Sequence, residues 1–240
     1  MLVTLRSTVY FVAMILSIGL FGLGIVTVGL LLPLPARDRM TVAWGHTNLW
    51  LMKAICGLKY RIHGKENLPT DAAIVMCKHQ STWEIISLKA ILPPQQSWIL
   101  KQELMRLPVF GWVLAAIPNI PIDRSAGRQA VKQIVERGTA LLKQGRIIVI
   151  FPEGTRTAPG EKRRYGIGGS LLAEKSGYPV VPVAHNAGVF WRRRGLKKYP
   201  GTIDIVVGPA FDPSGMKASE ITRRVEAWIE AEVDKLPEQP

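Results

Sequence analysis

The segment KHQSTWE, residues 78–84, contains a histidine and a carboxylate that could act as a pair. In a regular helix, side chains five positions apart diverge by about 140°. His79 and Glu84 therefore meet only if His79 lies in the turn before a helix. Glu84 could then fix the imidazole tautomer while the other ring nitrogen takes a proton from a hydroxyl. On spacing alone, this general base and a histidine that merely caps a helix both remain open.

Two arginines follow apolar runs at comparable positions. The run 147–151 leads into Glu153-Gly154-Thr155-Arg156, in which the glycine permits a tight turn and the Arg156 guanidinium suits a phosphate. Arg124 follows the run 117–120, where a strand would give way to a helix whose free N–H groups favour anions. Taken singly, the first block is compatible with a plain turn, and the second with a surface arginine paired with Asp123.

Strand and helix signals alternate from residue 58 onward, and they predict how these side chains are positioned. Residues 58–62 alternate apolar and polar, and short apolar runs follow at 73–77, 98–100, 147–151, 180–184 and 203–207. Amphipathic helices are predicted at 125–143, with Ser125 as N-cap, and at 219–233. This alternation predicts an α/β fold with a mainly parallel sheet flanked by helices, and parallel sheets collect ligand sites at their carboxyl edge.

The N-terminal part of the chain has a different composition. Residues 9–32 contain no charged side chain and are long enough to cross a hydrocarbon core of about 30 Å. A cleaved signal peptide is the alternative, although its apolar region usually spans only about 7–15 residues. Residues 40–58 predict a second helix, either lying at the membrane interface through Trp44 and Trp50 or packed in the core. We therefore predict membrane-anchoring helices at 1–58 and an α/β domain at 59–240.

The net charge of +13 and a pI near 10.0 indicate an anionic partner. Aromatic residues make up only 8% of the chain and no nucleic-acid-binding motif is present, so we expect no nucleic-acid partner, although a basic nucleic-acid binder is the rival by charge alone. The basic run 192–198 could contact anionic headgroups or form a solvated loop. Cys56 and Cys77 lie outside any metal or disulfide spacing.

The order of these blocks resembles the glycerolipid acyltransferase family over about residues 60–210. That family carries a His-x4-Asp motif, then an arginine block, a Glu-Gly-Thr-Arg block and a strand containing proline. This chain has His79 with Glu84, then Arg124, then residues 153–156, then Val180-Val181-Pro182-Val183. Glu84 stands where the family usually has Asp; it preserves the charge on a side chain that is one methylene longer.

The resemblance implies a function and a set of site residues. It implies that His79 and Glu84 are catalytic and that a further set helps to hold the glycerol phosphate: Lys101, Arg124, Glu153, Gly154, Thr155 and Arg156. It implies acyl transfer from acyl-CoA or an acyl carrier protein thioester to the sn-2 hydroxyl of lysophosphatidic acid, without a metal or bound cofactor. We expect a membrane lipid environment, with the catalytic domain on the cytoplasmic face of the inner membrane. Another lysolipid or amino-acid lipid as acceptor, and a non-enzymatic membrane-anchored protein, are the alternatives.

Overall fold

The structure, a computed structural model, describes residues 1–237 and contains a seven-stranded sheet. The strands are β1 (Leu58–His63), β2 (Ile74–Cys77), β3 (Gln96–Lys101), β4 (Ile120–Ile122), β5 (Ile147–Ile150), β6 (Val180–His185) and β7 (Gly201–Val207). Their order is β1-β7-β6-β2-β5-β3-β4, and every neighbouring pair is parallel except β6 and β7. The predicted α/β fold with a mainly parallel sheet is confirmed, and the antiparallel β6–β7 pair is what makes the sheet mixed.

Helices cover both faces of this sheet. They are α1 (Leu2–Val26), α2 (Leu34–Cys56), α3 (Trp83–Ile91), α4 (Phe110–Ala115), α5 (Arg128–Leu142), α6 (Gly168–Ser176), α7 (Ala187–Phe190) and α8 (Ala218–Val233). Successive strand side chains point to opposite faces. Val75 therefore joins a hydrophobic cluster with α1, α2 and α3, whereas Ile74 joins a second cluster with α5, α6 and α8.

The second helix, α2, packs one face against the domain. At Gly45 an added Cβ would lie 2.9 Å from the backbone nitrogen of Ala90 in α3, so a glycine is needed where these helices cross. Gly57 ends α2 with a φ of 67°, a conformation that glycine adopts without steric cost. Trp50 points outward and is exposed. One face of α2 therefore packs in the core of the domain. The other face, which carries Trp50, is exposed and could contact a membrane interface.

The first helix, α1, also has two distinct faces. Tyr10 and Met14 are buried against the domain, while Leu16 and Leu20 are 68% and 73% exposed. By length and composition, α1 and the residues up to Leu31 could cross a membrane. The domain boundary at residue 58 stays a prediction. Side chains of α1 and α2 belong to the same hydrophobic cluster as side chains of the strands.

The strand expected at 117–120 is β4, which begins three residues later and ends two residues later. Asn119 accepts a hydrogen bond from the backbone N–H of Trp98 at 3.0 Å and donates to the Leu114 carbonyl at 2.9 Å. The Trp98 N–H is therefore bound by the Asn119 side chain, and the backbone pairing between β3 and β4 begins only at Ile120.

The helix expected at 125–143 begins later than predicted, at the first residue of α5. Ser125 is not the N-cap; it lies in a 3₁₀ turn, where Asp123 accepts hydrogen bonds from its backbone N–H at 2.8 Å and its hydroxyl at 2.6 Å. Gly127, with a φ of 51°, separates this turn from the α-helix. The local aspartate turn therefore takes priority over helix propensity there.

Candidate active site

The chain positions His79 in a short turn between β2 and α3. The strand ends at Cys77 and the helix begins at Trp83, so the ring of His79 can turn back toward the first turn of α3. His79 Nδ1 lies 2.8 Å from Glu84 Oε1. The turn thus removes the angular mismatch that a continuous helix would impose, and the predicted pairing of imidazole and carboxylate is present.

The carboxylate of Glu84 is fully buried and held by three donors. Besides the His79 ring, its Oε1 accepts the backbone N–H groups of Gln80 at 2.8 Å and Ser81 at 2.7 Å. Burial would raise the pKa of Glu84, but the His185 and His79 rings and the Ser81 amide outweigh it, so this pKa lies below its usual value. An ionised carboxylate only accepts hydrogen bonds. His79 Nδ1 therefore carries the proton, and Nε2 is left as the basic atom.

Both the ring and the backbone of His79 are fixed by neighbours. The ring stacks on Phe151 with centroids 4.0 Å apart and planes 14° apart. Its backbone N–H donates to Glu153 Oε2 at 2.7 Å, and its carbonyl accepts the N–H of Thr157 at 2.8 Å. The side chain remains 12% exposed. A rigid imidazole with one accessible edge suits a general base.

That accessible edge faces a cavity of about 370 Å³. Its lining near the carboxyl edge of the sheet includes His79, Lys101, Arg124, Gly154, Thr155, Arg156, Arg193 and Arg194, and Thr41, Lys89 and Asn119 are further polar residues of the lining. Most of its remaining lining is apolar and comes from α1, α2, α3, β3 and the α4 region, including Ile18, Phe21, Ile25, Ile85, Leu104 and Val113. The cavity can therefore take a molecule with a charged head and a long apolar tail.

Five of the predicted substrate-binding residues border this cavity. Lys101 ends β3, Arg124 follows β4, and the turn 154–156 follows β5, so neighbouring strand ends bring them together. Gly154 has a φ of 69°, and a Cβ added there would lie 3.9 Å from Arg124 Nη1. The structure thus brings the two arginine blocks into one place, as strand order predicts.

The sixth, Glu153, points elsewhere. Its carboxylate is buried and pairs with Lys78 Nζ at 2.9 Å, in addition to the His79 backbone. Burial, opposed mainly by Lys78, raises its pKa to about 7. Lys78 in turn contacts Glu230 of α8 at 2.7 Å. The Glu153 side chain thus contacts Lys78 and the His79 main chain and is not among the residues that line the cavity, and its expected part in holding the phosphate stays a prediction.

Three further basic side chains line the cavity and are not among the site residues predicted from the sequence. Arg193 and Arg194 belong to the basic run 192–198, which follows the end of β6. That position after a strand end is the feature of the sequence that could have placed them beside the cavity. Lys89 of α3 also borders the cavity and lies 5.2 Å from the Trp98 ring centroid.

His185, at the end of β6, is fully buried, and its Nε2 lies 2.9 Å from the Lys78 carbonyl. It supports the segment before His79 and does not border the cavity.

Comparisons with known proteins identify the family of this chain. The family model described as acyltransferase matches residues 59–186. A 1-acyl-sn-glycerol-3-phosphate acyltransferase of Pseudomonas aeruginosa is 39% identical over 229 residues, which are 94% of this chain and 89% of that protein. One of Bacillus subtilis is 30% identical over 185 residues, covering 75% and 88%. The crystal structure of a 1-acyl-sn-glycerophosphate acyltransferase from Thermotoga maritima matches with a TM-score of 0.77 and 23% identity, covering 98% of this chain and 94% of that chain.

Proposed function

The chain belongs to the acyltransferase family, and we propose that it transfers a fatty acyl group from a thioester donor to the sn-2 hydroxyl of lysophosphatidic acid. The product is phosphatidic acid, a precursor in phospholipid biosynthesis. One observation carries the mechanism: the His79 ring, paired with the buried Glu84, opens into the same cavity as Lys101, Arg124 and Arg156. A base beside several cations suits an acceptor that carries both a hydroxyl and a phosphate.

The chemistry follows from the tautomer of His79. The cations hold the acceptor phosphate, and the sn-2 hydroxyl lies against His79 Nε2. As the hydroxyl oxygen attacks the thioester carbonyl, its proton passes to Nε2, and Glu84 stabilises the imidazolium that forms. Collapse of the tetrahedral intermediate breaks the carbon–sulfur bond, and the departing thiolate takes the proton from the imidazolium. The ester is formed and the base is regenerated.

The apolar part of the cavity supports a lipid substrate. Ile18 and Phe21 of α1 and Val113 of α4 line it, so the N-terminal helix contributes directly to the substrate space. Burying apolar surface is worth about 0.8 kcal/mol per methylene, which makes a fatty chain a natural occupant. The outward face of α1 is apolar as well, which supports association with a membrane.

The donor and the location complete the proposal. Acyl-CoA and acyl carrier protein thioesters both fit the chemistry, and neither a metal nor a bound cofactor takes part. The net charge of +13 supports attraction to anionic lipids on the cytoplasmic face of the inner membrane.

A donor-by-acceptor panel tests this function. The full chain in detergent is given acyl-CoA or acyl carrier protein thioester, each with lysophosphatidic acid, another lysophospholipid or monoacylglycerol. We expect thiol release and phosphatidic acid, with the highest kcat/KM for lysophosphatidic acid. Equal use of monoacylglycerol would contradict the phosphate role, and absence of thiol release with every pair would favour a non-enzymatic protein.

A further inference from the structure

The loop that follows α7, residues 191–199, is built as a fixed part of the fold. Trp191 is buried and its Nε1–H donates to the Gly195 carbonyl at 3.0 Å. Lys198 is buried as well, lies 4.5 Å from the Trp191 ring centroid and donates from Nζ to the Leu196 carbonyl at 2.8 Å. Its backbone N–H donates to Ser7 of α1 at 2.8 Å. The loop is therefore anchored at both ends, and the side chains at its tip have defined positions.

Arg193, at the tip, reaches the phosphate-binding turn. Its Nη1 donates to the backbone carbonyl of Arg156 at 2.6 Å, although 37 residues separate them in the chain. Arg193 is half-buried and lines the cavity. Arg194 also lines the cavity, and its φ of 57° is a conformation that costs a non-glycine residue energy. The long-range contact therefore fixes Arg193 at the edge of the cavity, where the exposed Arg194 also lies.

The cavity therefore has a concentration of unbalanced positive charge. Its cations near the carboxyl edge of the sheet are Lys101, Arg124, Arg156, Arg193 and Arg194. Among residues 1–237, none of these side chains has a carboxylate oxygen within 4.0 Å, and no Asp or Glu lines the cavity. Like charges repel in a partly desolvated site. An anionic ligand that relieves this repulsion gains binding energy.

We propose that Arg193 and Arg194 form a second wall of the acceptor-phosphate site, in which Arg193 both binds the phosphate and positions Arg156. The proposal rests on the proposed function and extends it to a loop outside the sequence blocks 79–84, 124 and 153–156. Arg193 uses one Nη1 hydrogen for the Arg156 carbonyl, which leaves Nε and Nη2 as donors for a phosphate edge. A phosphate monoester carries about −1.5 to −2 charges and three free oxygens, so it can engage several guanidinium groups at once.

Matched variants of one loop test the proposal. Arg193→Ala removes both contacts, Arg193→Lys keeps only the charge, and Arg194→Gly removes the second cation while accommodating the positive φ. Arg192→Ala is the control, because Arg192 is exposed, lies in the same loop and is not part of the cavity lining. The KM values for lysophosphatidic acid, monoacylglycerol and the thioester donor are measured for the full chain in detergent, together with the inhibition constant of glycerol 3-phosphate.

We expect Arg193→Ala to raise the KM for lysophosphatidic acid and the inhibition constant of glycerol 3-phosphate about tenfold or more. Arg193→Lys should recover part of this loss, and Arg194→Gly should raise both constants about threefold. The KM values for monoacylglycerol and for the donor should change little, and Arg192→Ala should behave as the wild type. Equal losses with both acceptors would mean that the loop only supports the fold.

Two further results would overturn the inference. A rise confined to the donor KM would assign these arginines to the donor, and an equal effect of Arg192→Ala would reduce the loop to diffuse attraction. An active wild type with an unchanged Arg193→Ala variant would contradict this inference alone. A wild type that does not acylate lysophosphatidic acid would contradict the proposed function as well.

Discussion

Glu153 Oε2 accepts the backbone N–H of His79 at 2.7 Å, so the Glu-Gly-Thr-Arg turn holds His79 by its main chain. The same carboxylate pairs with Lys78, which also binds Glu230 of α8. Tyr165 donates to Glu230 at 2.9 Å and extends this buried network. The turn therefore makes two kinds of contact: Thr155 and Arg156 border the cavity, while Glu153 fixes the main chain of His79.

Glu153→Gln should lower kcat and leave the KM for lysophosphatidic acid nearly unchanged. The amide can still accept from His79, but it loses the charge that holds Lys78, and a small displacement of the base is costly. We expect kcat to fall about tenfold or more. Glu161→Gln, an exposed change in the loop that follows, is the control. A raised KM with normal kcat would instead show that Glu153 contacts the acceptor.

His79→Ala should keep the fold and lose about 10²–10⁴ in kcat, the usual range for a general base. His63→Ala is the matched control, because His63 is an exposed histidine at the end of β1 whose ring pairs with Asp204. Turnover and thermal unfolding are measured for both variants. Near-normal turnover of His79→Ala would remove this ring from the mechanism.

Glu84→Gln should lower kcat by about 10²–10⁴ while preserving the geometry, because the amide oxygen can replace Oε1 but cannot stabilise an imidazolium. Glu84→Asp is one methylene shorter. It cannot satisfy the His79 ring and the Gln80 and Ser81 amides from the same backbone position, so we expect an intermediate rate. Single-turnover acyl transfer distinguishes the two, and a fully active Glu84→Gln would contradict the electrostatic role.

Asp38→Ala should lower the free energy of unfolding by about 3–5 kcal/mol, because it leaves a buried guanidinium without its partner. Asp38 of α2 and Arg146 before β5 form a bidentate pair with both distances at 2.9 Å and are 1% and 3% exposed. Asp234→Ala, which breaks an exposed pair with Lys162, should change stability little. Replacing both Asp38 and Arg146 with apolar residues should restore much of the loss in denaturant unfolding, and an unchanged single variant would contradict this explanation.

Lys89→Met should stabilise the fold most at neutral pH and below. Burial, opposed in part by Asp38, lowers the pKa of Lys89 to about 7, whereas an unfolded lysine titrates near about 10.4. The unfolded chain therefore binds more protons between these values, and wild-type stability should rise with pH across that window. We expect the variant to gain about 2 kcal/mol at pH 7, since the amine borders a cavity, and nothing above about pH 11. A gain independent of pH would show that packing is the cause.

The sequence by itself determined the local features of this protein. Apolar runs of strand length alternate with amphipathic helical patterns, and this predicted the mainly parallel sheet. The polar residues that follow several strands predicted a base and two arginine blocks at one edge, and strand order brings His79, Arg124 and Arg156 to one cavity. These features depend on spacing and turn chemistry within short segments, which a sequence shows directly.

Only the tertiary structure decided which of these side chains face the cavity and what else joins them. Glu153 and Arg156 belong to one turn, and Gly154 between them has a positive φ. Arg156 nevertheless borders the cavity, whereas the Glu153 carboxylate is buried against Lys78 and the His79 main chain. Arg193 meets Arg156 across 37 residues, and Asp38 meets Arg146 across 108. Side-chain direction at a strand end depends on a few backbone angles, and contacts at such separations depend on how whole helices pack. Neither is encoded in the type and spacing of the residues alone.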